Sequence, residues 1–305
     1  MSRRRLQAPV LVLLLALALV GMSRSADAAP PSQGNGYTRA NLYVVRLARA
    51  QPQPERLTDA SDGVFFATPS WSPDGRVLAL SGTPCDDCAE WLYVLSRSGG
   101  APRRLRTIIT PAIRPDWSPN GRRLVFIGGR GSVYVMNRDG SASRRLNGAR
   151  RAHDEAVWSP DGRRIAYTQQ QANGRWDIWV MNANGSHPRA VTRTAALSEE
   201  FPAWSPDGRS IAFARQAGGR WGLYVMQSDG SHQHVLLRSS YNDEMPAWSP
   251  NGRQIAFTRL RGDTSAVYVM NRNGTGVRAI SGALRLSYAP TWSPDGKEIV
   301  FTNSE

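Results

Sequence analysis

An all-β propeller of six four-stranded antiparallel blades is the fold class that the sequence predicts, on three observations. The motif Trp-Ser-Pro-Asp-Gly-Arg, first seen at residues 71–76, returns five times at spacings of 46, 41, 46, 44 and 44 residues. Each unit carries short apolar segments separated by glycine turns, and the two chain ends carry complementary halves of one unit. Such a period indicates a repeat fold. The motif tryptophans, which we expect to pack between blades, are Trp71, Trp117, Trp158, Trp204, Trp248 and Trp292.

The fourth unit illustrates how one repeat encodes a blade. Residues 201–204 form an apolar run, and the Ser-Pro-Asp-Gly sequence at 205–208 then turns the chain. Proline presets the first corner of a turn, aspartate suits the next position, and glycine accepts a positive φ. Residues 210–214, 221–226 and 234–237 follow as three further strand-like segments. Four short strands with tight turns in about 44 residues predict one antiparallel blade.

The repeat also resembles a known family. Pro-x-Trp-Ser-Pro-Asp-Gly-Arg-x-Ile-Ala-Phe, followed by Leu-Tyr-Val-Met-Asn-x-Asp-Gly, is similar to the WD40-like repeat of TolB-type propellers. The resemblance covers residues 37–305 and implies a six-bladed propeller. It implies less about function, because propellers host many activities. We expect this chain to lack the N-terminal α/β domain that TolB adds to its propeller.

The chain ends predict how the ring closes. Residues 41–45 and 55–58 match the third and fourth strands of a unit, although they precede the first motif. Residues 290–301 match the first and second strands only. We therefore predict that the two termini share one blade, in a clasp that pairs strand edges which would otherwise stay open.

The N-terminal segment predicts export. Residues 1–28 begin with three arginines, continue with a 13-residue apolar run at 8–20, and end in Ala-Asp-Ala, which suits signal-peptide cleavage. The run is short for a membrane span, and a retained membrane anchor is the alternative. Residues 29–36 read as a flexible linker, and 37–305 as the propeller. We expect a periplasmic, cell-envelope or extracellular monomer.

The chain is strongly basic, with a formal net charge of +14. Removal of the predicted signal, with its four arginines and one aspartate, would leave +11. Nearly all the cations are arginine, since Lys297 is the single lysine. They are spread over every repeat and often follow the glycine turn, which favours a compositional bias over a nucleic-acid partner. An acidic polysaccharide partner remains open.

The two cysteines, Cys85 and Cys88, lie in the predicted loop between the second and third strands of the first blade. In an exported protein this spacing predicts a local disulfide. A metal site is the alternative, with Asp86 and Asp87 beside the cysteines.

The loops between second and third strands, together with the links between blades, vary in length and define one face, here called the variable face. The short turns define the opposite, constant face. Recognition usually occurs on variable loops held by a rigid scaffold. Four residues before the motif tryptophan, three neighbouring units carry acids, which predict an acidic half of the channel mouth. The candidate binding residues there are His153, Asp154, Glu155, Glu199, Glu200, Asp243 and Glu244.

Two roles fit these acids. They could hold Ca²⁺ or attract a cationic peptide group. Alternatively, they could pair with arginines of adjacent blades, such as Arg151, Arg193 or Arg238, and this is favoured because isolated buried carboxylates are costly.

Catalytic motifs are mostly absent: the sequence has no Gly-x-Ser-x-Gly elbow and only four histidines. The main hypothesis is therefore an exported, non-catalytic scaffold that binds a protein or peptide on the variable face. The alternatives are an enzyme that acts on a carbohydrate or lactone at the channel, with or without Ca²⁺, and a module that binds acidic polysaccharide through arginines and aromatic residues.

Overall fold

The computed structural model describes residues 40–48, 52–59, 63–84, 89–147 and 152–304. These residues form 24 β-strands and no helix. Within the described ranges there is accordingly no apolar helix of membrane-spanning length. The predicted signal at 1–28, the linker at 29–36 and the Cys85–Cys88 disulfide all lie outside the described residues.

The strands have the following bounds. The first twelve are β1 (Ala40–Arg46), β2 (Pro54–Arg56), β3 (Phe65–Trp71), β4 (Val77–Thr83), β5 (Trp91–Ser96), β6 (Arg103–Arg104), β7 (Ala112–Trp117), β8 (Arg123–Gly128), β9 (Ser132–Asn137), β10 (Arg144–Arg145), β11 (His153–Trp158) and β12 (Arg164–Gln170). The others are β13 (Trp176–Asn182), β14 (Arg189–Ala190), β15 (Ser198–Trp204), β16 (Ser210–Ala217), β17 (Arg220–Gln227), β18 (His234–Leu237), β19 (Asn242–Trp248), β20 (Gln254–Arg261), β21 (Thr264–Asn271), β22 (Arg278–Ala279), β23 (Ser287–Trp292) and β24 (Glu298–Ser304).

Six four-stranded sheets confirm the predicted fold class. Blades 1 to 5 are simple meanders that run in chain order from β3 to β22. Blade 6 has the order β2-β1-β24-β23, so strands from both chain ends share it. β24 pairs with β1 over seven residues, from Ala40 opposite Ser304 to Arg46 opposite Glu298. The predicted clasp is therefore confirmed.

The motif-bearing first strands are innermost, because each contacts the corresponding strand of the next blade around the ring. The six motif tryptophans lie in six separate apolar clusters, each formed by two neighbouring blades. Trp71, for example, packs with Leu42 and Val300 of blade 6, which joins the first and last blades. The hydrophobic core is thus a ring of interfaces between blades.

The Ser-Pro-Asp-Gly turns form a second ring on the constant face. In each turn the serine hydroxyl and a backbone N–H donate to the side chain of the Asp or Asn residue; Ser72 Oγ donates to Asp74 Oδ1 at 2.6 Å, and Arg76 N donates to the same oxygen at 3.1 Å. Each motif glycine also lies against the motif proline of the preceding blade. The pairs are Gly75–Pro294, Gly121–Pro73, Gly162–Pro119, Gly208–Pro160, Gly252–Pro206 and Gly296–Pro250.

The outermost strands explain part of the arginine excess. Four of them are two residues long and carry exposed arginines, in β6, β10, β14 and β22. Short, positively charged edge strands discourage pairing with another chain. The repeated arginines therefore disfavour edge-to-edge pairing with another chain at the rim of the propeller.

The variable face is more regular than the sequence suggests. Residues 215–220 separate two of the predicted strands of the fourth unit. They are largely strand themselves, since β16 continues to Ala217 and β17 begins at Arg220. Gly218 and Gly219, with φ of 61° and 78°, form the two-residue turn between them. Two glycines with positive φ suit the tight hairpin turns whose twist matches antiparallel strands.

Two glycines in equivalent turns between third and fourth strands provide a stability test. Both have a positive φ, +82° at Gly274 and +86° at Gly99. A Cβ on Gly274 would lie 2.1 Å from the carbonyl oxygen of Leu236, whereas a Cβ on Gly99 would meet nothing within 4 Å. We expect Gly99→Ala to cost about 1–2 kcal/mol, the usual cost of the left-handed conformation. Gly274→Ala should cost at least about 3 kcal/mol, because the backbone must also move.

Urea unfolding of both variants measures this difference. Equal destabilisation by the two substitutions would contradict the close approach of Gly274 to Leu236 in the preceding blade.

Candidate functional site

A ring of strained residues surrounds the channel on its axis. In every blade the pairing of the innermost strand shifts register ahead of the motif tryptophan. The residue three positions before the tryptophan has a positive φ of 43–57° in all six blades. None of these residues is glycine, and such strain is often found at functional sites. This channel ring consists of Thr68, Arg114, Glu155, Phe201, Met245 and Ala289.

The channel ring lines a cavity of about 290 Å³. Five of its six residues precede a proline, and these prolines also line the cavity. The β-bulge turns each ring side chain out of the blade and towards the axis. One arginine, one glutamate, a phenylalanine and a methionine therefore meet where six blades converge.

Arg114 connects four blades at this ring. Its backbone N–H donates to Ser81 Oγ of blade 1 at 2.9 Å. Its guanidinium contacts two acids of blade 3, with Nη1 2.6 Å from Glu155 Oε1 and Nε 3.1 Å from Asp154 Oδ1. The guanidinium carbon also lies 5.9 Å from the ring centre of Phe201 in blade 4. Burial alone would lower the pKa of Arg114, but the surrounding carboxylates, Asp154 first, offset this and raise it.

The acids around Arg114 outnumber it. Burial raises the pKa of Glu155 to about 8, against the opposing effect of Arg114. Burial, with the charges of Asp154, Glu155 and Glu244, raises the pKa of Glu200 well above its usual value. Burial also raises the pKa of Glu90, before the third strand of blade 1. Burial thus opposes the ionisation of each of these carboxyl groups.

Glu244 has no cation comparable to Arg114, which contacts the blade 3 acids Asp154 and Glu155. It is 2% exposed, and its Oε1 has no hydrogen-bond partner among the described residues. Burial, and then the charge of Asp243, raise its pKa to about 8. A buried carboxyl group without a cation holds its proton because ionisation would leave an unpaired charge.

The other three predicted residues do not line the channel cavity. Glu199 Oε1 is 2.8 Å from Arg215 Nε, and Asp243 Oδ1 is 2.6 Å from Arg259 Nε. His153 binds Gly131 O through Nδ1 at 2.9 Å. These side chains belong to cross-strand pairs within their own blades. Of the seven candidates only Glu155 lines the channel cavity, while Glu200 and Glu244 are buried near it and Asp154 is partly exposed.

The arginine partners differ from those suggested by the sequence. Pairing with arginine occurs, but through Arg114, Arg215 and Arg259. Arg238 instead donates to Tyr224 Oη at 2.8 Å. Arg193 is exposed, and Arg151 lies outside the described residues. Strand pairing places Arg215 and Arg259 directly opposite their acids, a register that residue spacing alone did not show.

Sequence reasoning missed Arg114 and also Asp116, which lines the channel two residues later. Asp116 accepts from Ser70 Oγ at 3.1 Å and from the backbone N–H of Trp158 at 2.8 Å, so it joins three blades. Burial raises its pKa to about 6, against these hydrogen bonds. The available signal was a charged residue in place of the small or apolar residues, such as Val157 or Ala203, that other repeats carry there.

The buried acids predict that stability falls as pH rises from about 4.5 to about 8. Glu155 and Glu244 have pKa values of about 8 in the folded protein, against 4.5 for an ordinary glutamate. In this range the folded protein keeps protons that the unfolded chain has lost, so the free energy of unfolding decreases by up to about 1.4 kcal/mol per pH unit for each proton. Urea unfolding at several pH values measures the slope.

Glu244→Gln should remove one proton from this linkage and reduce the slope. The matched control is Asp263→Asn, an exposed carboxylate in a turn of the variable face. The prediction would be contradicted if the two variants had the same slope as the native protein.

The part of the chain that the structure describes contains no cluster of side chains suited to binding a metal ion. No three His, Cys, Asp or Glu residues in these ranges are grouped as ligands. The Ca²⁺ suggested by the sequence stays a prediction.

Together, the fold and the channel define a six-bladed propeller with a polar, acid-rich axial channel and no separate second domain within the described residues. The chain matches the TolB beta propeller domain family over residues 36–243 and 189–305. It belongs to that family.

Solved structures agree with this assignment. A protein assigned to TolB from Agrobacterium tumefaciens is similar with a TM-score of 0.77 and 23% identity, over 88% of this chain and 99% of that one. TolB from Acinetobacter baumannii gives a TM-score of 0.65 and 18% identity, over 85% and 67% of the two chains. An oligogalacturonate lyase in complex with manganese gives 0.55 and 11%, over 88% and 98%. At these identities the likeness shows the fold alone.

A curated relative matches a smaller part of the chain. The uncharacterized peptidase YuxL of Bacillus subtilis (strain 168) is 42% identical over 57 residues, which are 19% of this chain. The match spans only 8% of the length of that relative.

Proposed function

We propose that this chain is an exported, non-catalytic propeller scaffold that binds a protein or peptide partner at its channel mouth and variable face. The observation that supports this most directly is the charge imbalance at the channel. Arg114 lies among Glu90, Asp154, Glu155 and Glu200, so the acids exceed the cations. A cationic group of the partner would let these carboxyl groups ionise beside a positive charge inside a desolvated site.

The size of the channel suits part of a partner. A cavity of about 290 Å³ accommodates a side chain or a chain terminus. Phe201 and Met245 add apolar surface, against which the methylene groups of lysine or arginine would pack. The loops of the variable face would contact the rest of the partner, as loops on rigid scaffolds commonly do.

Titration with synthetic peptides tests the charge preference. The probes share one sequence and carry lysine, arginine, norleucine or glutamate at the amino-terminal end. We expect the cationic probes to bind at least about tenfold tighter than the norleucine probe, because a charge-assisted hydrogen bond forms in a desolvated site. Glu155→Gln with Glu200→Gln should abolish the preference, and Asp263→Asn should keep it. Equal binding of the norleucine probe would contradict the proposal.

Cross-linking to envelope extract, followed by mass spectrometry, would then identify the natural partner. The comparison variant carries Asp154→Ala, Glu200→Ala and Glu244→Ala. A protein captured by the native chain and lost in this variant would be bound through the channel mouth. Export is tested separately by fusing residues 1–28 to a reporter enzyme that is active only outside the cytoplasm.

The carbohydrate- or lactone-active enzyme and the acidic-polysaccharide module remain alternatives from the sequence. Nothing specific at the channel favours either of them over peptide binding.

A further inference from the structure

Blade 3 carries a second concave site, separate from the channel. This groove has a volume of about 500 Å³ and lies between the β12–β13 turn, strands β13 and β14, and the link to blade 4. It shares no lining residue with the channel cavity. The residues that define this blade 3 groove are Gln171, Asn173, Asp177, Trp179, Arg193 and Thr194.

Blade 3 differs from the other blades at two positions of β13 that line the groove. Strand pairing aligns Trp179 with a tyrosine in each of the other blades. These tyrosines are Tyr43, Tyr93, Tyr134, Tyr224 and Tyr268. Asp177 aligns with Trp91 of blade 1, whose ring centre lies 3.6 Å from the guanidinium carbon of Arg104. The remaining blades carry Asn41, Ser132, Gly222 and Ala266 at this position, so blade 3 alone presents a carboxyl group there.

Asp177 is held in place by its neighbours. It is 8% exposed, and Thr192 Oγ1 donates to its Oδ1 at 3.3 Å. Burial raises the pKa of Asp177 and of the neighbouring Glu199. The carboxyl group of Asp177 is therefore a fixed hydrogen-bonding group at the wall of the groove.

The rim of the groove is preformed. Asn173 Nδ2 donates to Ala195 O at 3.1 Å, which ties the β12–β13 turn to the link between blades 3 and 4. Within the turn, Gln171 N donates to Arg175 O at 2.7 Å and Gly174 N donates to Gln171 O at 3.0 Å. A site whose walls are ordered before binding costs less entropy to occupy.

We propose that the blade 3 groove binds a pyranose ring of a glycan. A half-buried indole offers a flat apolar surface to the C–H face of a sugar. The carboxyl group of Asp177 and the guanidinium of Arg193 offer hydrogen bonds to ring hydroxyl groups. The volume accommodates one or two sugar rings. This site is independent of the peptide capture proposed for the channel.

Calorimetric titration and tryptophan fluorescence with three oligosaccharide probes test the proposal. The probes are a neutral glucan, a chitin oligomer and an oligogalacturonate, which separate neutral, N-acetylated and acidic sugars. We expect saturable binding of at least one class. Asp177→Ala should weaken it about 10- to 100-fold, as expected for the loss of a buried hydrogen-bonding group. Alanine stands at this position in blade 5, as Ala266, so the variant should fold.

Trp179→Tyr provides a second variant, because tyrosine is the residue of the other blades. It should weaken binding several-fold and remove the fluorescence change caused by the sugar. Asp154→Asn, in the channel cluster, should leave sugar binding unchanged. The proposal would be overturned if no probe class bound, or if Asp177→Ala bound as tightly as the native chain. The proposal would also be overturned if the Asp154→Asn variant bound sugar more weakly than the native chain while keeping its stability.

Discussion

Deletion of residues 291–305 is expected to abolish cooperative unfolding. The deletion removes β24, which pairs with β1 on one side and β23 on the other. Ile299, Val300 and Phe301 of this strand are fully buried and belong to the clusters that join blade 6 to blades 1 and 5. Without them, two apolar blade faces and the edge of β1 would be exposed to water.

Thermal and urea unfolding followed by circular dichroism would measure this effect. The deleted protein should show a broad transition without a baseline for the native state. Addition of a synthetic peptide with the sequence of residues 291–304 should restore part of the transition, because the missing strand can pair again. One sharp transition in the deleted protein alone would mean that the clasp is dispensable.

Replacement of Arg114 by methionine is expected to be the most damaging single substitution at the channel. The side chain is 9% exposed, and it contacts Asp154 and Glu155. Removing one member of a buried ion pair typically costs about 3–5 kcal/mol, because the remaining charge is left uncompensated. The loss should be largest near pH 8 and smaller near pH 5, where the acids of the channel keep their protons.

Arg97→Met is the matched control. Arg97 also contacts two carboxylates, Asp295 and Glu298, but its side chain is 39% exposed. Such surface pairs contribute about 0–1 kcal/mol. The double variant Arg114→Met with Glu155→Gln should recover part of the lost stability, since it removes one orphaned charge. Equal stability of the Arg114→Met and Arg97→Met proteins across this pH range would contradict the role given to Arg114.

Arg114 with its surrounding acids and the clasp of blade 6 stabilise the fold in two different ways. The clasp depends on apolar burial and backbone pairing, which change little with pH near neutrality. The channel depends on buried acids, and two of them, Glu155 and Glu244, have pKa values of about 8 and so lower the stability as the pH rises towards 8. A partner that supplies a cation would act on the channel acids only, so binding should flatten the pH dependence of stability.

Several features of the fold follow from the sequence by itself. The motif spacing determined the number of blades, and the half-units at the chain ends determined the shared blade. These features could be predicted because turn chemistry and strand period are local properties. Proline, aspartate and glycine act within four residues, and they do so in the same way in every repeat.

The acids of the channel could be located in part. The sequence placed Asp154, Glu155, Glu200 and Glu244 near one end of the innermost strands, where the structure finds them. It did not distinguish them from Glu199, which pairs with Arg215 on the neighbouring strand of the same blade. Adjacent residues on a strand point in opposite directions, and residue spacing does not show which of them faces the axis.

Only the tertiary structure decided which side chains meet. A β-bulge turns Arg114 towards the axis, and its acidic partners come from the next blade, about 40 residues later in the chain. The blade 3 groove likewise combines Asp177 and Trp179 of β13 with Arg193 and Thr194 of the link to blade 4. Repeated local signals build each blade, but the contacts between side chains of different blades depend on how the closed ring orients them. That orientation is a property of the whole fold, and no single repeat encodes it.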